Sequence, residues 1–332
     1  MMVTIAATTN STEGENVTPL GIVAIIVLLC LCGLAGNGTI IWLLRFGIKK
    51  NPYSIYILNL AIADFLFLFC MALSHVLNRP EFGPLSQTIS EAFKRIRYLA
   101  YTLGLSLLAT ISTQRCLSVL FPIWYRCHRP QHLSPLVCAV LWLLAILENL
   151  VAICFCVIQK ENKNPCQKVD LFYVVMIFGV FTPAMCISGL ILFIKVRRIS
   201  PKRRPARLYT IILVTILVFL ICALPLAIHW FILYWLKMSE RPKMIFFDVA
   251  KIFSCVNSTA NPIIYFMVGS QRDKRVQEPL RVRLVRALGD EETSPTEMVE
   301  LRSDHHGAQD GHGDTNEKLP GVTARYGDPQ PI

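Results

Sequence analysis

The stretch Asn257-Ser258-Thr259-Ala260-Asn261-Pro262-Ile263-Ile264-Tyr265 lies near the end of an apolar run that covers residues 244–268. Proline inside a helix removes one backbone hydrogen bond, and the amide of Asn261 can cover the carbonyl that is freed. We therefore predict a membrane helix with a polar kink near one end, which is a suitable element for a two-state switch. Pro183 and Pro225 create similar weak points in two earlier apolar runs.

Beyond that stretch, the whole chain has the composition of a multi-span membrane protein. Of its 332 residues, 54% are apolar and only 17% are charged, and lipid excludes charge in this way because it cannot solvate ions. Seven apolar stretches each have roughly the 20 residues that a helix needs to cross a bilayer. They cover residues 19–45, 52–78, 88–121, 133–158, 169–197, 207–236 and 244–268. The fold prediction is an all-α membrane protein, with a bundle of seven transmembrane helices over residues 19–268.

Lysine and arginine set the orientation. Clusters of them follow the first, third, fifth and seventh spans, whereas residues 1–18 contain none. The positive-inside rule then predicts an extracellular N-terminus and a cytoplasmic C-terminus. Some basic residues, such as Lys94, also occur on the outer side, so the bias is incomplete. The net charge of +11 comes from short clusters between apolar runs, and we therefore predict no nucleic-acid partner.

The two ends of the chain differ from the helical part. Residues 1–18 have no apolar core of a signal peptide, so we expect the first span to act as its own insertion signal. Asn10 and Asn16 begin glycosylation sequons. Residues 269–288 mix apolar and basic residues and predict a helix on the anionic inner leaflet, in contact with membrane lipids, although a plain basic linker has the same composition. Residues 289–332 are polar and rich in Gly and Pro, which predicts a disordered tail.

Asp64 stands alone as a charge in the second span. A charge at mid-membrane costs at least roughly 2.5–3.5 kcal/mol on insertion scales, so it indicates a functional site. The predicted polar neighbours of this carboxylate are Asn37 in the first span and Asn257, Ser258 and Asn261 in the seventh. One carboxylate with neutral oxygens suits a hydrated monovalent cation such as sodium, or a proton. The alternative is a polar network that only ties helices together.

Taken in order, these residues resemble the rhodopsin-like receptors along the whole helical core. The matching positions are Gly36-Asn37, Asp64, Arg115, Trp142, Pro183, Pro225 and Asn261-Pro262-Ile263-Ile264-Tyr265. Narrower segments resemble the Mas-related branch of that family. These segments are Pro122-Ile123-Trp124-Tyr125-Arg126-Cys127-His128-Arg129-Pro130, Cys222-Ala223-Leu224-Pro225 and Asn257-Ser258-Thr259-Ala260-Asn261-Pro262.

The resemblance implies a plasma-membrane receptor that activates a heterotrimeric G protein, Gq or Gi, when its sixth helix swings outward. An arrestin would bind the C-terminal tail. The implied G-protein contacts are Arg115, Pro122 and Ile123. The implied activation switch comprises Asn37, Asp64, Leu105, Arg115, Pro183, Phe219, Ala223, Pro225, Asn257, Asn261, Pro262 and Tyr265. Among these, Leu105, Pro183 and Phe219 would form the packed layer that carries changes inward from the pocket.

Two positions depart from the family pattern at the inner end. Gln114 precedes Arg115 where most such receptors have an acid, so one ionic lock is lost. We expect either appreciable ligand-independent signalling or other contacts that already hold Arg115. Ile191 stands where many receptors keep a tyrosine that steadies this arginine, and the active geometry would then rely more on Tyr265.

The outer ends of the spans contain charges of both signs. Glu148 and Asp170 resemble the acidic pair that binds cationic ligands in some Mas-related receptors, which predicts a basic peptide or an amine. Arg95 and Arg97 would instead bind a small acidic ligand, or they would pair with those acids in an internal cluster. A third alternative is a constitutively active receptor without a ligand. Three aromatic residues complete the predicted pocket, namely Tyr98, Trp230 and Tyr234.

The third helix has no cysteine at its outer end, so the disulfide usual in rhodopsin-like receptors cannot form. As in some Mas-related receptors, Cys166 would pair with Cys154, and Cys156 is the rival partner. No cysteine spacing suggests a metal site.

Other classes of membrane protein fit less well. A transporter or channel usually shows an internal repeat or matching broken helices, which are absent. A retinal protein needs a lysine deep in the seventh span, whereas Lys251 is close to its outer end. An intramembrane enzyme needs a second acid near Asp64, a Ser–His pair or a metal set. We therefore predict that the chain is not an enzyme.

Overall fold

The fold is described from a computed structural model, which covers residues 20–47, 52–77, 83–130, 132–155, 163–198, 214–223, 225, 228 and 239–270. All regular structure in these residues is helical. The helices are α1 (Leu20–Trp42), α2 (Pro52–Leu77), α3 (Gly83–Leu120), α4 (Pro122–Cys127), α5 (Leu133–Ile153), α6 (Lys163–Val175), α7 (Thr182–Arg198) and α8 (Glu240–Ser270). The predicted N-terminal segment and tail lie outside the described residues, as does the amphipathic helix beyond its first two residues.

Over the described residues, five helical segments are long and apolar enough to cross a membrane. These are Gly21–Phe46, Pro52–His75, Ala92–Leu120, Leu133–Ile153 and Leu171–Lys195. The sixth predicted span is described only in part, at 214–223, 225 and 228, and α8 covers the seventh. Below, "inner" and "outer" denote the ends that the basic-residue pattern predicts to face the cytoplasm and the exterior.

The core lies where α1, α2 and α3 pack together. Short stretches of chain separate α1, α2 and α3, and each of these helices runs antiparallel to the next, so the inner end of α2 lies beside the inner end of α3. The largest fully buried side chains come from these three helices and the turn after α1. They are Ile26, Ile40, Leu44, Tyr56, Ile57, Leu60, Phe67, Leu68, Met71, Leu103 and Leu105.

Two glycines of α1 allow α2 and α8 to approach it closely. A β-carbon at Gly33 would collide with Leu68 of α2 and Thr259 of α8. A β-carbon at Gly36 would lie 3.0 Å from the β-carbon of Pro262. Small residues at such positions let helix backbones approach in a membrane, and here they bring the polar part of α8 against α1.

Wide π-helical turns precede two of the prolines. Met176–Phe181 joins α6 to α7 just before Pro183, and Phe219–Ala223 comes just before Pro225. A proline ring clashes with the carbonyl four residues earlier, which here belongs to Gly179 or Ile221, and a wider turn relieves that clash. In α8, by contrast, the helix continues through Pro262.

Candidate functional site

The predicted polar switch is assembled around Asp64 at the centre of α2. Asp64 is buried, and the Asn261 side-chain amide donates a hydrogen bond to its Oδ2 over 2.7 Å. This bond joins α2 to α8 in the middle of the bundle. Asn257 and Ser258 are also buried on α8, so the structure brings together the residues that the sequence singled out on the second and seventh spans.

The carbonyl freed by Pro262 has a different partner from the one predicted. Because Pro262 lacks an N–H group, the Ser258 carbonyl four residues earlier loses its helical hydrogen bond. The Asn37 amide donates to this carbonyl over 3.1 Å and to the Gly33 carbonyl over 2.9 Å. The prediction that Asn261 covers the freed carbonyl is therefore wrong, because Asn261 donates to the stronger acceptor, the Asp64 carboxylate.

The polar residues around Asp64 include two buried amide oxygens without a hydrogen-bond partner in the described part of the chain. Asn261 Oδ1 and Asn37 Oδ1 are buried, and neither has a hydrogen-bond partner among the described residues. On α3, a β-carbon at Gly104 would lie 3.8 Å from Asp64 Oδ1, so glycine leaves space there but contributes no oxygen. A carboxylate and unpartnered amide oxygens are ligands that suit a hard cation or an ordered water.

At the inner end, Arg115 packs against an aromatic ring of α2. Arg115 is 5% exposed, and its Cζ lies 3.5 Å from the centre of the Tyr53 ring. Tyr53 and Tyr265 both line a small cavity between the helices. The predicted switch residue Tyr265 therefore lies close to the residue on which the arginine rests.

A serine pair links α3 to α7 near this cavity. The hydroxyls of Ser112 and Ser188 form a hydrogen bond, and both side chains are buried. Ser188 lies three residues before Ile191, the position that lacks the family's tyrosine. A polar contact between these two helices is thus present without that tyrosine.

The loop after α3 carries the predicted G-protein contacts. α4 begins at Pro122, whose missing N–H costs nothing in the first turn of a helix, and Ile123 is 75% exposed. Arg129 then donates hydrogen bonds to the Tyr125 hydroxyl over 2.8 Å and to the Ser134 hydroxyl of α5 over 2.5 Å. These bonds hold the loop so that Ile123 projects away from the bundle.

At the outer end, α3 buries a second arginine. Arg97 is 8% exposed and donates to the Ser74 hydroxyl over 3.2 Å and to the Met71 sulfur over 3.5 Å. Its guanidinium also lies 5.5 Å from the centre of the Tyr98 ring. Among the described residues, no carboxylate pairs with Arg97. The direct contacts of this cation at the predicted pocket are therefore with neutral groups.

Other charges at the outer end are arranged differently. Lys251 pairs with Asp248 one turn away on α8, with 2.6 Å between Nζ and Oδ1. Asn149 of α5 donates to the backbone carbonyl of Arg95 over 3.0 Å, which places Glu148 beside the outer part of α3. Glu148 is half-buried.

With this geometry in place, comparison with known proteins identifies the family. Residues 36–265 match the profile of the seven-transmembrane receptors of the rhodopsin family. The chain is 51% identical to Mas-related G-protein coupled receptor member D of Macaca fascicularis, over 79% of this chain and 83% of the relative. It is 48% identical to member D of Homo sapiens, over 82% of this chain and 87% of the relative. It is 39% identical to member A8 of Mus musculus, over 83% of this chain and 92% of the relative.

The chain belongs to the Mas-related G-protein-coupled receptors. The predicted family is thus confirmed, together with the seven-helix fold, the multi-pass plasma-membrane location and the prediction that the chain is a receptor rather than an enzyme. Membership of this family also implies, in general terms, that the receptor has a ligand and a G protein as partners.

In this Mas-related receptor, the packed layer below the pocket is only partly described. Leu105 is fully buried on α3, and Pro183 is half-buried at the start of α7. Phe219 and Ala223 lie in the wide turn of the sixth span, but their side chains are outside the described residues. So are the side chain of Asp170 and residues Trp230 and Tyr234.

The predicted covalent features of the receptor stay predictions. Cys154 is an exposed free thiol in the structure, whereas the side chain of Cys166 and the rival Cys156 lie outside the described residues. Asn10 and Asn16 also lie outside them.

Sequence reasoning missed one residue of the inner site and one inter-helix bond. Tyr53 was overlooked, although its place at the start of the second span puts it at the depth of Arg115 in an antiparallel neighbour. Trp142 was recognised by its family position, and its indole N–H donates to Asn59 Oδ1 of α2 over 3.0 Å. An asparagine about two turns after the start of an apolar run is a signal that could have predicted this bond.

Proposed function

We propose that this receptor binds an extracellular ligand between the outer ends of its helices and activates Gq or Gi at their inner ends. The observation that carries the ligand site is the buried Arg97, whose partners among the described residues are neutral. Burial of a cation without a counter-charge is costly. A site that keeps such a cation gains free energy when a ligand supplies the opposite charge.

A small acidic ligand is the class that Arg97 favours. Its carboxylate would accept charge-assisted hydrogen bonds from the guanidinium, which already orients itself through Ser74. Arg95 is buried within the same stretch of α3. Arg95 lies two residues before Arg97 and so on a different side of α3, where it adds positive charge to the region that would receive the anion.

A basic peptide or an amine is the second candidate, and Glu148 supports it. Glu148 is half-buried at the outer end of α5 and forms no hydrogen bond or ion pair with the described residues. It would therefore attract a cationic group. Asp170, the other predicted acid, lies on α6. The remaining alternative is a constitutively active receptor that needs no ligand.

Cells that express the intact receptor distinguish these candidates. Calcium release reports Gq and a fall in cAMP reports Gi, each measured with small acids, amines and basic peptides. We expect a response to acids that is lost in Arg97→Ala and Arg95→Ala but kept in Glu148→Ala. A response only to cationic ligands, lost in Glu148→Ala and Asp170→Ala, would reverse the assignment. Strong basal signalling that no ligand changes would favour the constitutive receptor.

The inner surface of the receptor would meet the G protein at α4 and at Arg115. Ile123 is largely exposed beside Pro122, and an exposed aliphatic side chain on a fixed loop is suited to insert into a partner pocket. Replacing Ile123 by Ala is expected to weaken coupling without changing ligand affinity. The outward movement of the sixth span, arrestin binding to the tail and the cytoplasmic C-terminus belong to the same proposal.

We also propose that Asp64, with Asn261 and Asn37, holds a sodium ion that stabilises the inactive receptor. The two buried amide oxygens that lack partners among the described residues support this site. Agonist affinity in membranes should fall when sodium replaces a bulky organic cation of equal ionic strength. Asp64→Asn should remove this difference, and an unchanged difference in the variant would contradict the site.

A further inference from the structure

We propose that Tyr53 is the residue that restrains Arg115 and thereby limits signalling without ligand. The inference rests on the proposed coupling, and it assigns to α2 the restraint that an acid before the arginine provides in most related receptors.

The contact is short and buried on both sides. Arg115 Cζ lies 3.5 Å from the centre of the Tyr53 ring, and each residue is 5% exposed. A guanidinium over an aromatic face is attracted by the negative charge density of the ring, and the attraction is strongest where water is excluded. Tyr53 is therefore positioned to hold the cationic head of Arg115.

The residue before the arginine makes such a contact necessary. Gln114 is neutral and cannot form the ion pair that an aspartate or glutamate would form. A cation near the membrane interior needs some compensating interaction. The aromatic face of Tyr53 supplies one from α2, the helix packed beside α3.

The arrangement withdraws Arg115 from any partner protein. A side chain that is 5% exposed cannot contact a G protein at the inner surface. Coupling therefore requires that the guanidinium leave the Tyr53 ring. Stabilising the stacked arrangement lowers the fraction of receptors that can couple, because a contact shifts an equilibrium toward the state in which it is formed.

The part of the sixth span that the structure describes offers little polar restraint at this depth. Thr215 lines the same cavity as Tyr53 and Tyr265, and its buried hydroxyl has no hydrogen-bond partner among the described residues. The described part of this span contributes apolar packing of Ile216 beside the cavity and no hydrogen bond from Thr215. The contact between Tyr53 of α2 and Arg115 of α3 therefore carries the proposed restraint.

The experiment compares Tyr53→Leu with Tyr53→Phe at equal surface expression. Leucine removes the ring, whereas phenylalanine keeps the ring and removes only the hydroxyl. We expect basal signalling to rise about fivefold to tenfold in Tyr53→Leu and to stay within about twofold of the wild type in Tyr53→Phe. Adding Gln114→Glu to Tyr53→Leu should return basal signalling toward the wild-type level, which a merely destabilised helix would not show.

A fluorophore on the sixth span provides a readout that needs no G protein. Bimane attached to Arg207→Cys in purified receptor reports opening of the inner end, with the same receptor lacking this cysteine as background. The open fraction should increase in Tyr53→Leu, or in Tyr53→Met if the leucine variant does not reach the surface. If the inner end of the wild-type receptor opens but no G protein is activated, the proposed coupling is wrong. The fluorescence comparison of the Tyr53 variants then still tests the role of the ring. Equal behaviour of the leucine and phenylalanine variants in both readouts would overturn the role of the ring.

Discussion

α3 buries arginines at both ends, and two of them, Arg97 and Arg115, are stabilised in different ways. Arg97 and Arg115 are eighteen residues apart, which corresponds to about 27 Å along a helix. Arg97 donates hydrogen bonds to a hydroxyl and a sulfur of α2, and Arg115 lies over an aromatic ring of the same helix. Thus α2 provides the partners in both cases: Met71 and Ser74 at its outer end contact Arg97, and Tyr53 at its inner end contacts Arg115.

The two arginines differ in how readily their N–H groups can bind a further partner. Hydrogen bonds to Ser74 and Met71 both use one terminal nitrogen of Arg97, so other N–H groups can still bind a ligand. A guanidinium stacked on Tyr53 must leave the ring before it can serve another partner. In the proposed function, the outer arginine binds the ligand, and the inner arginine contacts the G protein only after it leaves the Tyr53 ring.

The largest effect is expected when the inner arginine is removed. Arg115→Leu should reduce agonist-stimulated signalling by about 100-fold or more, because truncating a buried charge at a partner interface has effects of this order. Calcium release and cAMP measured at matched surface expression test this. Agonist affinity should change far less. Normal signalling by the variant would show that Arg115 takes no part in coupling.

Removal of the outer arginine should separate binding from coupling. Arg97→Leu is expected to lower the potency of an acidic agonist by about 30-fold or more, since a charge-assisted bond is lost from a buried site. Basal signalling should stay at the wild-type level. Arg97→Lys serves as the control that keeps the charge but not the planar geometry, and it should recover part of the potency. Equal potency in all three receptors would remove Arg97 from the ligand site.

A smaller change is expected when only the hydroxyl that orients Arg97 is removed. Ser74→Ala should lower the potency of the same agonist by about fivefold, which corresponds to the net contribution of one hydrogen bond. Ser90→Ala is the matched control, because Ser90 is equally buried and has no hydrogen-bond partner among the described residues. The orienting role would be contradicted if both variants lost the same potency.

The smallest effect belongs to the position before the inner arginine. Gln114→Glu in the wild-type background should lower basal signalling by only about twofold, because Tyr53 already stabilises the buried cation. Dose-matched expression with a cAMP or calcium readout is sensitive enough to detect this change. A tenfold fall would mean that Arg115 is poorly restrained in the native receptor.

The general architecture and the polar centre followed from sequence because their signals are local. Apolar runs near membrane thickness define spans, and a lone carboxylate such as Asp64 is costly enough in lipid to mark a site. Asn261 could be placed beside it because Asn257, Ser258 and Asn261 form a polar group within an otherwise apolar span. Family resemblance then fixed the order of the helices.

What sequence could not provide was the choice among several equally suitable partners. Asn37 and Asn261 are both able to cap the carbonyl freed by Pro262. The choice depends on the close packing of α1 against α8 at Gly33 and Gly36, and on the Asp64 carboxylate to which Asn261 donates instead. Tyr53 is one aromatic residue among many in a membrane protein, and its contact with Arg115 depends on the rotation of two helices. Rotation about a helix axis is set by packing, not by span length.

The hydrogen bond from Asn37 to the Ser258 carbonyl fixes the axial position of α8 relative to α1. Residues along a helix rise by about 1.5 Å each, so a slide of α8 by even one residue would break a hydrogen bond of 3.1 Å. An axial shift of α8 must therefore either drag α1 with it or exchange this bond for another. Tilting of α8 about that point keeps the bond intact. This bond therefore favours pivoting of α8 over sliding, by about the 1 kcal/mol that one hydrogen bond contributes.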